Sequence, residues 1–248
     1  MISAVVITLN EAHNIEDCVK ALKQVTDDVI VLDSGSTDGT QDIAIKNGAK
    51  IISVEWKGYG PTKNMANEFV KNDWILSIDA DEVLTPELIN EIKETELDAK
   101  NIYSINILPN YCGEWIYHSG WFPSYKKRLY HQHTVRWDER EVHENLTWQG
   151  DKNIVRFKNV LHHYSYRTAQ DHLLKGEKYA MLGAKHLAAN GKKVAWIKQT
   201  FGPAFRFFRM FVLQLGFLDK KAGFLLAKRE SRMVALRYKY YRELSKTD

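Results

Sequence analysis

The apolar positions of this chain fall in short unbroken runs, separated by stretches of mixed character. Ser3–Leu9, "SAVVITL", is rich in β-branched residues, as expected for a strand buried on both faces. Asp28–Leu32, Ala49–Val54 and Trp74–Ile78 repeat the pattern. Helices are predicted between the strands. One is capped by Asn14 and runs to about Leu22, and one is capped by Thr40 and runs through Lys46. Residues 57–71, "KGYGPTKNMANEFVK", read as a glycine-containing loop entering a helix, which Lys63 opens. Pro86 suits the first turn of the next helix. Alternation of strand and helix predicts an α/β fold with a mostly parallel sheet flanked by helices.

After residue 100 the pattern changes. Residues 101–108 read as a further strand, and an aromatic, basic region follows. Residues 168–190 read as a helix stopped by Gly191. From residue 201 the chain is helical, apolar and basic together. Arg206, Arg209, Lys220 and Lys221 stand among Phe205, Phe207, Phe208, Phe211, Leu213, Leu215, Phe217 and Leu218. This mixture suits an interfacial helix on an anionic membrane, with a core helix bearing a basic outer face as the alternative.

In open parallel sheets, ligands bind beyond the carboxyl ends of the strands. The polar clusters lie there: Thr8, Asn10 and Glu11 at the end of the first strand, Asp33, Ser36 and Asp38 at the end of the second, Asp79 and Asp81 at the end of the fourth. Two carboxylates one residue apart repel unless a cation or shared proton relieves them. An Asp-x-Asp pair can hold Mg²⁺ or Mn²⁺ that also carries phosphate oxygens. The bland alternative is a solvated turn with a capping aspartate. Asp33 can accept hydrogen bonds from a nucleobase, and Lys63, near a helix start, suits a phosphate. "REVHE", residues 140–144, offers Glu141 and Glu144 as a general base. His162 and His163, in "LHHYSYR", offer an imidazole for a metal held by Asp81.

Composition narrows the classes. Net charge is +4 over 248 residues, too little by itself to indicate nucleic acid. Cys18 and Cys112 are the two cysteines and form no CxxC pair, so a cysteine zinc site is not expected and a reducing cytoplasm is. The first residues read as a strand rather than a leader, and no apolar run reaches the ~18 residues of a spanning helix.

Taken in order, "VVITLNEAHNIEDCV", "VLDSGSTDGT", "GPTKNMA" and "ILSIDADE" resemble the family 2 glycosyltransferases of the GT-A fold. "REVHE", "HHYSY" and the basic C-terminal segment are similar to a bacterial subgroup that contains the lipopolysaccharide core β-1,4-glucosyltransferases. The resemblance implies a Rossmann-like sheet with a nucleotide-sugar half at residues 1–100 and an acceptor half at 101–167. A helical, basic extension at 168–248 completes the chain. It implies that Thr8, Asn10 and Glu11 hold the nucleoside, that Asp33 contacts uracil, and that Asp79 lies near the ribose and metal. Asp81 is the main metal ligand, and Glu144 or Glu141 activates the acceptor. The implied reaction is an inverting transfer of one sugar, glucose by subgroup, from a UDP-sugar to a lipopolysaccharide core or related glycolipid. It needs Mg²⁺ or Mn²⁺ and takes place in the cytoplasm, peripherally on the inner face of the membrane. The Q(Q/R)xRW motif of processive members is missing from "SYKKRLY" and "HTVRW", which favours a single transfer.

Rival readings remain at this level. "LSIDADEVL" also fits a haloacid-dehalogenase-type phosphatase, with Asp79 as nucleophile and Asp81 as acid/base, although three βα units precede it. A non-catalytic carbohydrate- or lipid-binding protein would use the aromatics after residue 100. A dinucleotide-binding dehydrogenase lacks its GxGxxG after the first strand.

Overall fold

A computed structural model describes residues 1–139, 144–189 and 194–245. The chain divides into two compact units, Met1–Ile107 with Ser124–His163 and Leu108–Pro123 with Tyr164–Asp248.

In chain order the elements are β1 (Ile2–Thr8), α1 (Ile15–Lys23), β2 (Val29–Asp33), α2 (Thr40–Lys46), β3 (Lys50–Ser53), α3 (Tyr59–Met65), β4 (Trp74–Asp79), β5 (Glu82–Leu84) and α4 (Pro86–Glu94). There follow β6 (Asn101–Tyr111), β7 (Glu114–Trp115), β8 (Tyr125–His131), β9 (Val135–Trp137), β10 (Leu146–Trp148), β11 (Asn153–Tyr166), α5 (Ala169–Ala189), α6 (Trp196–Phe208) and α7 (Lys220–Leu244). The main sheet has the order β3-β2-β1-β4-β8-β6-β11-β5. β3, β2, β1 and β4 run parallel. β8 turns the pattern antiparallel against β4 and β6. The fold is α/β, with helices flanking the sheet and a helical C-terminal part.

The first unit follows from its apolar spacing. β1 and β2 are buried almost end to end, as continuous apolar runs in a covered parallel sheet must be. α1 buries Ile15, Cys18, Val19 and Leu22, which recur at i, i+3, i+4 and i+7 and so share one face. Each such side chain contributes roughly 1.5–3 kcal/mol on leaving water. In α4, Thr85 caps by accepting from the Leu88 N–H, Pro86 occupies the first turn, and Leu88, Ile89 and Ile92 face the core.

Two capping expectations are corrected. Asn14 occupies the N-cap of α1 but makes no side-chain cap, and its amide donates to Glu11 Oε2 at 2.6 Å instead. Thr40 lies inside α2, whose N-cap is Gly39 at φ 90°. Its hydroxyl is used elsewhere, as described below. Lys63 stands in the last turn of α3 rather than opening it. Gly60 explains how α3 comes so close to the rest of the unit. A Cβ there would stand 2.0 Å from the Asp138 carbonyl oxygen, so only glycine admits this approach.

The second unit contains the helices. α7 packs on both α5 and α6. The helical tract expected from residue 201 begins earlier, at Trp196, and is interrupted. A π-helical stretch, Arg209–Leu213, follows α6, and Leu215 and Lys220 adopt positive φ. Asp219, at that break, accepts from the backbone N–H groups of Tyr117 and His118 and from the Ser119 hydroxyl. No residue of α6 is buried. Among the described residues, no helix is long and apolar enough to cross a membrane.

Candidate functional site

The carboxyl ends of β1, β2 and β4 lie side by side. Thr8 pairs in register with Asp33, and Ile7 with Asp79. Beyond them, the loops after β1 and β2 are tied together. Asn10, at φ 56°, donates its N–H to Ser36 Oγ at 2.8 Å, and its Oδ1 accepts from the Thr37 N–H at 2.9 Å. The Glu11 N–H donates to Thr40 Oγ1 at 2.9 Å, and the Ala12 N–H to Asp38 Oδ2 at 3.0 Å. Asn10 and Glu11 thus build the rim of the site.

Asp33 and Thr8 form its floor. Asp33 Oδ2 accepts from the N–H groups of Gly35 and Ser36 and from Gln41 Nε2, at 3.0, 2.9 and 2.6 Å. Burial pushes this carboxyl up, but the hydrogen bonds from Ser36, Gln41 and Gly35 outweigh it and hold the group ionised. Among the described residues, Asp33 Oδ1 and Thr8 Oγ1, both buried, have no hydrogen-bond partner. A buried acceptor without a donor costs about 1–3 kcal/mol, so the pair is suited to a ligand that brings N–H or O–H groups.

A second cluster sits at the end of β4. Asp79 Oδ1 lies 3.1 Å from Lys63 Nζ, and Oδ2 accepts from Arg128 Nη2 at 2.7 Å. The Arg128 guanidinium also pairs with Glu82, whose Oε2 accepts the Asp79 N–H at 3.0 Å. Lys63 is 1% exposed. It reaches Glu144 Oε1 at 3.1 Å and lies 4.6 Å from the centre of the Trp137 ring. Two buried cations therefore join three carboxylates, contributed by β4, β5 and the segment before β10. Burial works against ionisation of Asp79, but Arg128 and Lys63 carry its carboxyl well below the usual range. Glu82 ends above its usual range. Burial dominates there, the neighbouring Asp79 charge adds to it, and Arg128 only partly compensates.

Asp81 stands apart from this cluster. Its Oδ2 meets His163 Nε2 at 3.2 Å. β11 pairs with β5 so that His163 lies opposite Glu82 and His162 opposite Val83. Pleating turns the two imidazoles to opposite faces, so His163 is the one that reaches Asp81. Burial opposes protonation of His163, yet the hydrogen bond and charge of Asp81 raise its pKa above the ordinary value. Among the described residues, no group of three His, Cys, Asp or Glu side chains is arranged to hold a metal ion. Asp81 and His163 supply one oxygen and one nitrogen donor, a set that suits Mg²⁺ or Mn²⁺ when ligand oxygens complete the shell. Both oxygens of Asp79 are already on Lys63 and Arg128, so the structure does not bring it to that pair as a third donor.

Of the sequence candidates, Thr8, Asp33, Lys63, Asp79 and Glu144 present chemistry at these strand ends. Arg140, Glu141 and His143 lie outside the described residues. Arg128 and Glu82 had no role in the sequence reading, yet they organise the acid cluster. The available signal was an arginine next to the apolar Leu129 and Tyr130 in a strand, where a cation needs a buried partner.

The model of the family described as "Glycosyl transferase family 2" matches residues 3–149. An uncharacterized glycosyltransferase of Rickettsia bellii is 33% identical over 237 residues, spanning 90% of this chain and 80% of the relative. A lipopolysaccharide core biosynthesis glycosyltransferase of Rhizobium meliloti is 27% identical over 221 residues, spanning 85% and 80%. Among solved structures, glucosyl-3-phosphoglycerate synthase from Mycobacterium tuberculosis, in complex with Mg²⁺ and uridine diphosphate, overlaps 44% of each chain at 27% identity and a TM-score of 0.35.

Proposed function

Because the chain belongs to glycosyl transferase family 2 and is therefore a glycosyltransferase, we propose that it moves one sugar, glucose, from a UDP-sugar to a lipopolysaccharide core or related glycolipid, with inversion. The observation that carries this reading is the Lys63 ammonium, held 3.1 Å from both Asp79 and Glu144. It links the strand end where a nucleotide would lie to a carboxylate able to activate an acceptor.

In this reading the uracil N–H bonds to the open Asp33 Oδ1, and the ribose lies between Thr8 and Asp79. Asp81 and His163 would hold a divalent cation, which supplies charge neutralisation for the diphosphate. Glu144 takes the proton from the acceptor hydroxyl. The oxygen attacks the anomeric carbon in line, and the bond from that carbon to the diphosphate oxygen breaks with its electron pair. Lys63, adjacent to Glu144, stabilises the charge that develops on the leaving group. Asp79, already neutralised by two cations, serves as a fixed anchor. That arrangement disfavours Asp79 as the nucleophile of a phosphatase.

The basic, apolar C-terminal segment and the similarity to a lipopolysaccharide core glycosyltransferase support an acceptor held at a membrane. We place the protein on the cytoplasmic face, in peripheral contact with anionic lipid. Nucleic acid has no part in this account.

A screen of UDP- and GDP-sugars, with Mg²⁺ or Mn²⁺ and the released nucleoside diphosphate as readout, tests the reaction. UDP release from UDP-glucose is expected, stopped by EDTA and restored by either ion. Full activity after EDTA treatment would remove the metal from the account, and aryl phosphate hydrolysis would favour a phosphatase. A narrower test is Asp33→Asn. The amide keeps an acceptor for the loop but turns an N–H₂ toward the base. Calorimetric titration of UDP should show a loss of about 1.5–3 kcal/mol, roughly ten- to a hundredfold in affinity.

A further inference from the structure

The second unit holds a cleft that sugar transfer does not use. It lies among α5, α6 and α7 and has a volume of about 490 Å³. Lys198, Arg206, Arg209 and Arg237 line it, against one acid, Glu230. That acid is already engaged. Its Oε2 accepts from Arg206 Nη2 at 2.6 Å, and its Oε1 lies 3.5 Å from His172 Nε2. Lys198, Arg209 and Arg237 have no acidic partner among the described residues. The Nε atoms of Arg206 and Arg237 are buried and have no hydrogen-bond partner among the described residues. Cations gathered around a cavity repel one another and leave donors unsatisfied until an anion enters.

The shape of the surroundings narrows the anion. Ile197, Phe201, Phe205 and Phe208 are all exposed. At 3.6 residues per turn they fall within roughly 80° of one another around α6, so they form one stripe. Phe205 belongs both to this stripe and to the lining of the cleft. The basic cleft therefore opens directly onto exposed apolar surface. A free anion would use only the cations. A ligand with a charged head and an apolar tail would use both.

We propose that this cleft binds the phosphate headgroup of an anionic phospholipid, with the acyl chains lying along the α6 stripe. The inference rests on the reading that the protein works at a membrane surface, and it is independent of the sugar chemistry. It turns general attraction to anionic lipid into a discrete site for one headgroup.

The test is a calorimetric titration of the full chain with dihexanoyl-phosphatidylglycerol below its micelle concentration, beside inorganic phosphate and beside sedimentation with phosphatidylglycerol vesicles. Saturable binding of one short-chain lipid per chain is expected, with phosphate at least tenfold weaker. Arg209→Gln combined with Arg237→Gln should weaken the lipid at least tenfold while the melting temperature and UDP affinity stay as in the wild type. If that pair melts early, Lys198→Gln, at an exposed position, should weaken the lipid by a smaller factor. Equal lipid affinity in the variants overturns the site, and phosphate binding as tight as the lipid makes it a plain anion pocket. No short-chain binding, with vesicles still sedimenting the protein, overturns the site but leaves the membrane reading in place. Failure of the wild type to sediment with anionic vesicles sinks both.

Discussion

Arg128→Met is expected to be the most damaging single substitution in the strand-end cluster, costing about 3–5 kcal/mol of stability. Arg128 is buried between Asp79 and Glu82 and serves both. Methionine fills much of the space but leaves two neighbouring carboxylates, of which Glu82 has no other ion pair among the described residues. Asp79 would keep Lys63. Glu82 would keep the Asp79 N–H and the more distant charge of His163. Against a typical total of ~5–15 kcal/mol, such a loss leaves a marginal fold. Urea denaturation measures it.

The pH dependence carries the diagnostic. In the wild type, Asp79 is held below its ordinary value of 3.8, so its stabilising part is present above that pH and is lost as the pH falls below it. Glu82 is raised above its ordinary 4.5, so its part is fully present below 4.5 and is lost as the pH rises through the raised value. Without Arg128 both carboxyls shift upward, and a proton replaces the missing guanidinium. The stability gap between the variant and the wild type should therefore narrow on acidification from pH 7 toward 5. A gap that stays constant over that interval would mean that methionine packing, and not the two charges, sets the cost.

Glu144→Gln is expected to lower turnover by about 10²–10⁴, the usual worth of a general base, with donor affinity little changed. The change is isosteric. Lys63 retains Asp79 as its partner, so the fold of the site should persist. Single-turnover transfer to a glycolipid acceptor, compared with UDP titration, separates chemistry from binding. Near-normal turnover in this variant, with Glu141→Gln inactive, would transfer the role of base to Glu141.

The strand ends were legible in the sequence because β1, β2 and β4 are apolar runs covered on both faces. Their polar boundaries, Thr8, Asp33 and Asp79, are the first residues able to meet a ligand. The choice between His162 and His163 was not legible locally. It follows from the pairing of β11 with β5, which sets which imidazole faces Asp81. Arg128 and Glu82 escaped for a similar reason. They are 46 residues apart in the chain and meet only when β8 and β5 are both in the sheet. Asn14 and Thr40 had the residue types of helix caps, but a local bond to Glu11 claimed the Asn14 side chain and a long-range bond from the Glu11 N–H claimed that of Thr40. The break before α7 was hidden because Leu215 and Lys220 make it at positive φ without being glycine.

The proposed nucleotide-sugar site spans the ends of β1, β2 and β4, and in it Lys63 joins Asp79 to Glu144. Calorimetric titration of UDP into the wild type and into Lys63→Met, each with and without Mn²⁺, tests it most directly. Saturable UDP binding that tightens with Mn²⁺ in the wild type, and weakens at least tenfold in Lys63→Met, is the expected result. A folded wild type that does not bind UDP with Mn²⁺ present, or a Lys63→Met variant that binds it equally well, would contradict the account.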